Sequence, residues 1–138
     1  MKEPFVLDAS ALIAFLHDED GADKVDNVLQ KARRDECIIY MNKFNILEIY
    51  YGVYREDGEE KAEATLVRIF NLPLIVVDSL GDDVFKEAGR LKAIYKISLA
   101  DSIALAEAKL RKAQLLTADH HEFDPLDRKE EARFYWIR

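Results

Sequence analysis

The sequence predicts an α/β fold, a three-layer α/β/α sandwich on a mainly parallel sheet of four to five strands, Rossmann-like in outline. Three observations predict it. Short apolar runs of strand length alternate with longer segments whose apolar residues recur at helical spacing. The runs at 5–7, 74–77 and 113–117 are continuously apolar, as strands covered on both faces are. Hydrophobic residues make up 49% of 138 residues, and no repeat, low-complexity segment or Pro- or Ser-rich linker divides them. Residues 1–138 therefore read as one domain with a sizeable core.

The elements follow in order. Phe5, Val6 and Leu7 read as a short buried strand that ends on Asp8, and Ala11 to His17 continue as a helix. After "DEDGAD", the residues Val25, Val28, Leu29 and Ala32 mark a second helix. "CIIYM" (37–41) is β-branched and aromatic, hence a strand. Phe44, Leu47, Tyr51 and Tyr54 place a helix over 43–56, and Ala62, Leu66, Ile69 and Phe70 another that Pro73 stops. "LIVV" (74–77) is the third strand. Two helices follow, one on Val84, Phe85, Ala88, Leu91 and Tyr95, the next on Leu99, Ile103, Ala106 and Leu110. "AQLLT" (113–117) is the fourth strand and "FYWI" (134–137) a short fifth.

Composition excludes several classes. The single cysteine, Cys37, permits no intramolecular disulfide and reads as a small buried hydrophobe. The apolar runs are too short to span a bilayer, and the N-terminus lacks the pattern of a signal peptide. The expectation is a cytoplasmic protein with no membrane partner. A net charge of -7 argues against a coat protein of nucleic acid, yet it leaves room for an enzyme that meets phosphates through a bound cation. The basic groups, such as Lys109, Arg111 and Lys112, read as solvated helix faces. The five glycines are scattered, with neither G-x-x-x-x-G-K-[ST] nor G-x-G-x-x-G, so nucleotide cradles lose support. No G-x-S-x-G elbow surrounds Ser10.

Four acids carry the chemistry that remains. Ligands of such sheets gather beyond the carboxyl ends of the strands. Asp8 follows the first strand, Asp119 follows the fourth, and Glu48 and Asp101 come from helices. Each has a structural explanation beside the functional one. Asp8 is placed to cap the next helix. "SLAD" (98–101) matches a capping box, and Asp119 suits a turn. Glu48 is harder to explain away. "FNILEIYYGVY" holds no other charge, so its carboxylate calls for a Lys or Arg from elsewhere, or a metal ion. Carboxylates brought together repel, and a hard cation such as Mg²⁺ or Mn²⁺ relieves them. His120 and His121 match no zinc spacing and read as exposed loop residues, and His17 as a helix-end residue. Metal-assisted hydrolysis of a phosphodiester uses all four acids.

"VLDASALIAFL", the isolated Glu48, "ISLADSIALAEA" and "LLTADHHEFD" together resemble the PIN-domain nucleases, most closely the VapC-type toxins of toxin–antitoxin pairs. The match runs over nearly the whole chain in the right order. The resemblance implies a Mg²⁺- or Mn²⁺-dependent endoribonuclease. Asp8 and Asp101 would be the principal metal ligands and Glu48 would complete the pocket. Asp119 would close it, with Ser10 and Thr117 orienting carboxylates or waters. It further implies an RNA substrate, a homodimer and a small cognate antitoxin. The stretch "MNKFNILE" departs from the family in carrying Asn42 near the position where a Ser or Thr is common, which weakens any assignment of a hydroxyl ligand there and leaves Asn42 only as an alternative to it.

Two other classes are weighed against this reading. A strand-end aspartate also suits phosphotransfer. The haloacid dehalogenase pattern requires a second Asp where Ser10 stands, which leaves only a receiver-like domain. A PIN-like module kept for binding alone would not need all four acids. The aromatics Tyr50, Tyr51, Tyr54, Phe134, Tyr135 and Trp136 read first as core and second as a partner surface.

Overall fold

A computed structural model describes residues 2–138. Its elements run β1 (Glu3–Leu7), α1 (Ala9–Leu16), α2 (Ala22–Arg33), β2 (Cys37–Asn42), α3 (Lys43–Asp57) and α4 (Glu59–Phe70). They continue as β3 (Ile75–Val77), α5 (Asp82–Ile94), α6 (Leu99–Leu110), β4 (Gln114–Thr117), α7 (His120–Arg128) and β5 (Arg133–Trp136). The strands form one five-stranded sheet in the order β3-β2-β1-β4-β5, and every pairing is parallel.

Strand alternation explains the three layers. Phe5 and Leu7 point to one face of β1, where they pack with α1, α2 and α3 residues such as Leu12, Leu29 and Ile46. Val6 points to the other face and packs with Leu91, Ile103 and Leu105 of α5 and α6. Leu116 and Leu115 divide in the same way on β4. Cys37 is buried, with its Sγ 3.6 Å from the Val28 carbonyl, as a small hydrophobe should be.

The chain builds outward from β1 to β2 and β3, then returns to lay β4 on the opposite side of β1. That reversal is the switch point of a parallel sheet, and it leaves a crevice beyond the carboxyl ends of β1 and β4. Leu7 pairs with Leu116, so the chain leaves both strands at the same level.

Two expectations are corrected here. β3 is a three-residue edge strand with Ile75 50% exposed, so its apolar run does not mean cover on both faces. The segment after Asp119, expected as loop, is helix α7, with Phe123 and Leu126 buried one turn apart. Only those two apolar residues mark it, and Pro125 inside it reads as a breaker, so the periodic signal was weak. The aromatic group splits: Tyr51 and Tyr54 are exposed, while Tyr135 packs edge-on against Phe5.

Asn42 is committed to structure. Its Oδ1 accepts from the Phe44 N–H (2.9 Å) and so caps α3, and its Nδ2 donates to Glu107 (3.0 Å). The buried Glu107 carboxylate also accepts from Arg111 Nε at 2.8 Å. Both ends of the Asn42 amide are thus in use, which corrects its standing as a substitute ligand. Asn42→Ala should destabilise the fold by about 2 kcal/mol, from the lost cap and the donor withdrawn from a buried carboxylate. Asn42→Asp keeps a good cap but opposes Glu107 with a like charge, and should also destabilise. Urea unfolding of both variants checks this; a wild-type-like Asn42→Asp would reduce the residue to a cap.

Candidate functional site

Three helix N-termini open on the crevice at the switch point. Asp8 caps α1: its Oδ1 accepts from the Ala11 N–H (2.9 Å) and from the Ser10 hydroxyl (2.8 Å). Ser98 caps α6, its Oγ accepting from the Asp101 N–H at 3.1 Å, which puts Asp101 in the first turn. Asp119 caps α7, its Oδ1 accepting from the Glu122 N–H at 3.0 Å. The structural explanation of Asp8 therefore holds, Asp119 is a helix cap where a turn residue was expected, and the Ser98 half of the capping box forms.

The hydroxyls of Ser10 and Thr117 join the two strand ends. They lie 3.3 Å apart. Ser10 Oγ accepts from the Ala118 N–H (3.0 Å), and Thr117 Oγ1 accepts from the Asp119 N–H (3.0 Å). Thr117 is buried and Ser10 half-buried, and each holds the backbone beside an acid.

The acids meet. Carboxylate oxygens of Asp101, Asp119 and Glu122 all lie within 4.8 Å of one another. Asp8 and Glu48 are not in that tight trio but belong to the same field. The charge of Asp8 acts on Asp101, and that of Asp119 acts on Asp8, Glu48 and Asp101. Asp8 is 0% exposed and Asp101 8%, while Glu48, Asp119 and Glu122 are half-buried. Glu122 is the residue that sequence reasoning missed. Its signal was present in "DHHE", an acid three residues after a capping acid.

Burial and mutual repulsion set the electrostatics. Burial pushes the Asp8 carboxyl up to about 6, against the pull of the Thr117, Ala11 and Ser10 donors. Burial pushes Asp101 up to about 8, and the charges of Asp8 and Asp119 add to it. Glu48 is raised by burial, then by Asp119 and Glu122. Among the described residues no Lys or Arg stands within 4 Å of any of the five acids. The counter-charge that Glu48 calls for does not come from a side chain.

Among the described residues two buried side-chain atoms lack any hydrogen-bond partner: Asp8 Oδ2, in the crevice, and Asn45 Oδ1, on α3. Asn45 Nδ2 donates to the Ala100 carbonyl at 3.0 Å and so ties α3 to the first turn of α6. A buried carboxylate oxygen without a donor is costly. An all-oxygen donor set with an orphaned oxygen fits a hard divalent cation. Glu48 also lines two clefts, one of about 190 Å³ with His17 and Glu56, one of about 240 Å³ with Phe44, Tyr51 and Leu99. A larger cavity, about 470 Å³, is lined instead by Lys109, Lys112 and Arg133, where α6 ends and β5 begins.

Fold and site define an α/β domain with an acidic crevice at the switch point of a parallel sheet. The chain belongs to the PIN domain family, whose model matches residues 5–129. No curated protein sequence matches it. Among solved structures, the fold is that of a chain in the VapBC2 complex of Rickettsia felis bound to promoter DNA. The TM-score is 0.74 and the identity 18%, over 96% of this chain and 97% of that one. A chain of the DNA-bound VapBC of Salmonella typhimurium gives TM-score 0.74 at 17% identity over 100% of both chains. VapC20 of Mycobacterium tuberculosis, described as a toxin that cleaves the sarcin–ricin loop, gives 0.61 at 14%, over 88% of this chain and 94% of that one. No helix among the described residues is long and apolar enough to cross a membrane.

The raised acids set a pH dependence. Asp8 and Asp101 bind protons more tightly folded than unfolded, so between pH 4 and 8 the native state holds more protons and stability falls as pH rises. In EDTA, the melting temperature should drop from pH 5 to pH 8. His120, raised by the Arg138 carbonyl and Asp124, contributes in the same direction above its unfolded value. Asp101→Asn should flatten much of the slope and raise stability at pH 8; a slope unchanged in that variant would assign it to Asp8, Glu48 and His120 instead.

Proposed function

We propose that the chain is a divalent-cation-dependent endoribonuclease acting as the toxin of a toxin–antitoxin pair. Asp8, Glu48, Asp101 and Asp119 form its catalytic and cation-binding set, and Mg²⁺ or Mn²⁺ is the cation. The observation that carries this is an unpaired carboxylate cluster containing an orphaned, fully buried Asp8 oxygen. Family membership and the toxin–antitoxin complexes that share the fold support it.

Each residue has a part that the geometry makes intelligible. A divalent cation polarises a phosphoryl oxygen and lowers the pKa of a bound water. Asp101 and Asp119 offer close oxygens. Asp8 offers Oδ2 while Oδ1 stays with the cap. Glu48, raised by its surroundings and open to two clefts, is the acid best placed to exchange a proton with water entering from solvent. Ser10 and Thr117 hold the strand ends and orient Asp8 and Asp119. The N-termini of α1, α6 and α7 favour an approaching phosphate.

The partners follow from the same reading: RNA as substrate, a second copy of the chain as homodimer, a small antitoxin protein as inhibitor, and a cytoplasmic location. The phosphotransfer alternative gains nothing, since Asp8 is fully buried and one of its oxygens is committed to α1. A purely binding role leaves the unpaired acids without a purpose.

Purified protein with Mn²⁺ or Mg²⁺ should cleave RNA, and EDTA should stop it. Asp8→Asn and Asp101→Asn should each lower the rate about a thousandfold, equivalent to about 4 kcal/mol. Cleavage that survives EDTA and both substitutions would end this reading.

A further inference from the structure

A row of aromatic rings runs from the core to the surface between α7 and β5. Phe123 is buried on α7 and meets Phe134 of β5 at 5.4 Å between centroids. Phe134 stacks on Trp136 at 5.3 Å with 15° between planes, and Trp136 stacks on His120 at 3.9 Å with 10°. The row ends on His120, whose side chain is 48% exposed. That ring is fixed in orientation: Nδ1 lies 2.8 Å from Asp124 Oδ1 and Nε2 2.9 Å from the Arg138 carbonyl. Trp136 is held in turn, its Nε1 donating to Asp127 at 3.3 Å. With one face on the indole and both nitrogens occupied, the exposure of His120 belongs to its outer face and ring edge.

The outer end of the row stands at the carboxyl end of the sheet. Trp136 pairs with Thr117 in the β4–β5 ladder, and neighbouring strands lie about 4.8 Å apart. Thr117 Oγ1 accepts from the Asp119 N–H, and His120 is the next residue along the chain. The open ring is therefore a neighbour of the crevice acids. Packing explains the buried side of the row, but not why it ends in an immobilised ring open to water at the rim. The crevice acids have no Lys or Arg beside them among the described residues, so a phosphate there meets only helix N-termini and a cation. Neither grips a base. Stacking on an aromatic face does, and it needs no positive side chain, which suits a chain of net charge -7.

We propose that His120, backed by Trp136, is a stacking platform for one base of a single-stranded RNA lying across the crevice. This rests on the ribonuclease reading above and adds to it a contact with a base. The stack tolerates any sequence, since every base has a π-face. It demands an unpaired base, because the faces of a paired base are covered by its neighbours in the helix. The platform therefore selects single strands, loops and ends over duplex. The histidine expected as an exposed loop residue opens α7 instead, and its ring is rigid before any substrate arrives, so little side-chain entropy is lost on stacking.

A fluorescein-labelled oligoadenylate, and the same ribose–phosphate backbone without bases, test the proposal. Binding is read by fluorescence anisotropy in MnCl₂ with the Asp8→Asn protein, which cleaves slowly enough for equilibrium. That protein should prefer the base-bearing strand by about tenfold. Adding His120→Ala should weaken the base-bearing strand about tenfold, within what the loss of one base–aromatic stack costs, and leave the bare backbone unchanged. Adding His120→Phe instead, which keeps a flat face without ring nitrogens, should leave the base-bearing affinity close to that of Asp8→Asn alone. Equal affinity for the two strands before His120 is touched would overturn the platform, even if His120→Ala fails to fold. Unchanged binding in His120→Ala would overturn it as well. So would a loss shared by both strands, which marks a structural or phosphate role, or a loss that His120→Phe does not avoid. In each of these cases a wild type that cleaves RNA with Mn²⁺ keeps the ribonuclease reading. A wild type that neither binds nor cleaves RNA removes both.

Discussion

The parallel pairing of β1 with β4 is the constraint on which the rest depends. Residues more than a hundred positions apart become neighbours there: the Asp8 N–H donates to the Leu116 carbonyl (3.2 Å), and the Ser10 and Thr117 hydroxyls lie 3.3 Å apart across 107 residues. The pairing is set by the sheet's reversal of direction after β3, which sends the chain back to the other side of β1. Everything beyond the strand ends inherits that geometry. α1 begins where β1 stops, α7 where β4 stops, and α6 arrives from the opposite layer with Asp101 in its first turn. Without the pairing, Asp8 and Asp119 would be two unrelated helix caps.

The second determinant is charge. A chain with net charge -7 has acids to spare, and outside the crevice it pairs Glu87, Glu107 and Glu131 with Lys or Arg. Among the described residues of the crevice it supplies none. Helix N-termini offset part of the repulsion, each worth about 0.3–1 kcal/mol, which is too little for several carboxylates taken out of water. The remaining penalty is visible as the upward displacement of Asp8, Glu48 and Asp101. A fold that only needed stability would replace such acids with apolar residues or pair them.

Much of the fold was legible because its signals are periodic. All five strands and six of the helices follow from the sequence pattern, with boundaries within three residues of those observed. The losses have physical causes. α7 buries only Phe123 and Leu126 and contains Pro125, so its pattern falls below what periodicity can carry. β3 is apolar on an exposed edge, where composition cannot tell burial from exposure. For the crevice, Asp8 and Asp119 were legible as acids just beyond strand ends and Glu48 and Asp101 as acids on helices, but Glu122 depended on the missed helix, and once α7 was lost its acid was lost with it. Asn42 was misjudged because its partner, Glu107, lies 65 residues away.

The sequence presented the capping and the chemical readings of these acids as rivals, and the geometry dissolves the rivalry. A carboxylate has two oxygens, and a helix N-terminus needs only one. Asp8 gives Oδ1 to Ala11 and Ser10 and keeps Oδ2 unpartnered, and Asp119 likewise commits Oδ1 to Glu122. The cap fixes the side chain's rotamer and its direction, so the second oxygen is aimed without further cost in side-chain entropy. Aiming matters for Mg²⁺, which tolerates little departure from octahedral angles. The same bonds that start α1 and α7 therefore preorganise the crevice, and a capping residue is the residue type best suited to stand at its rim.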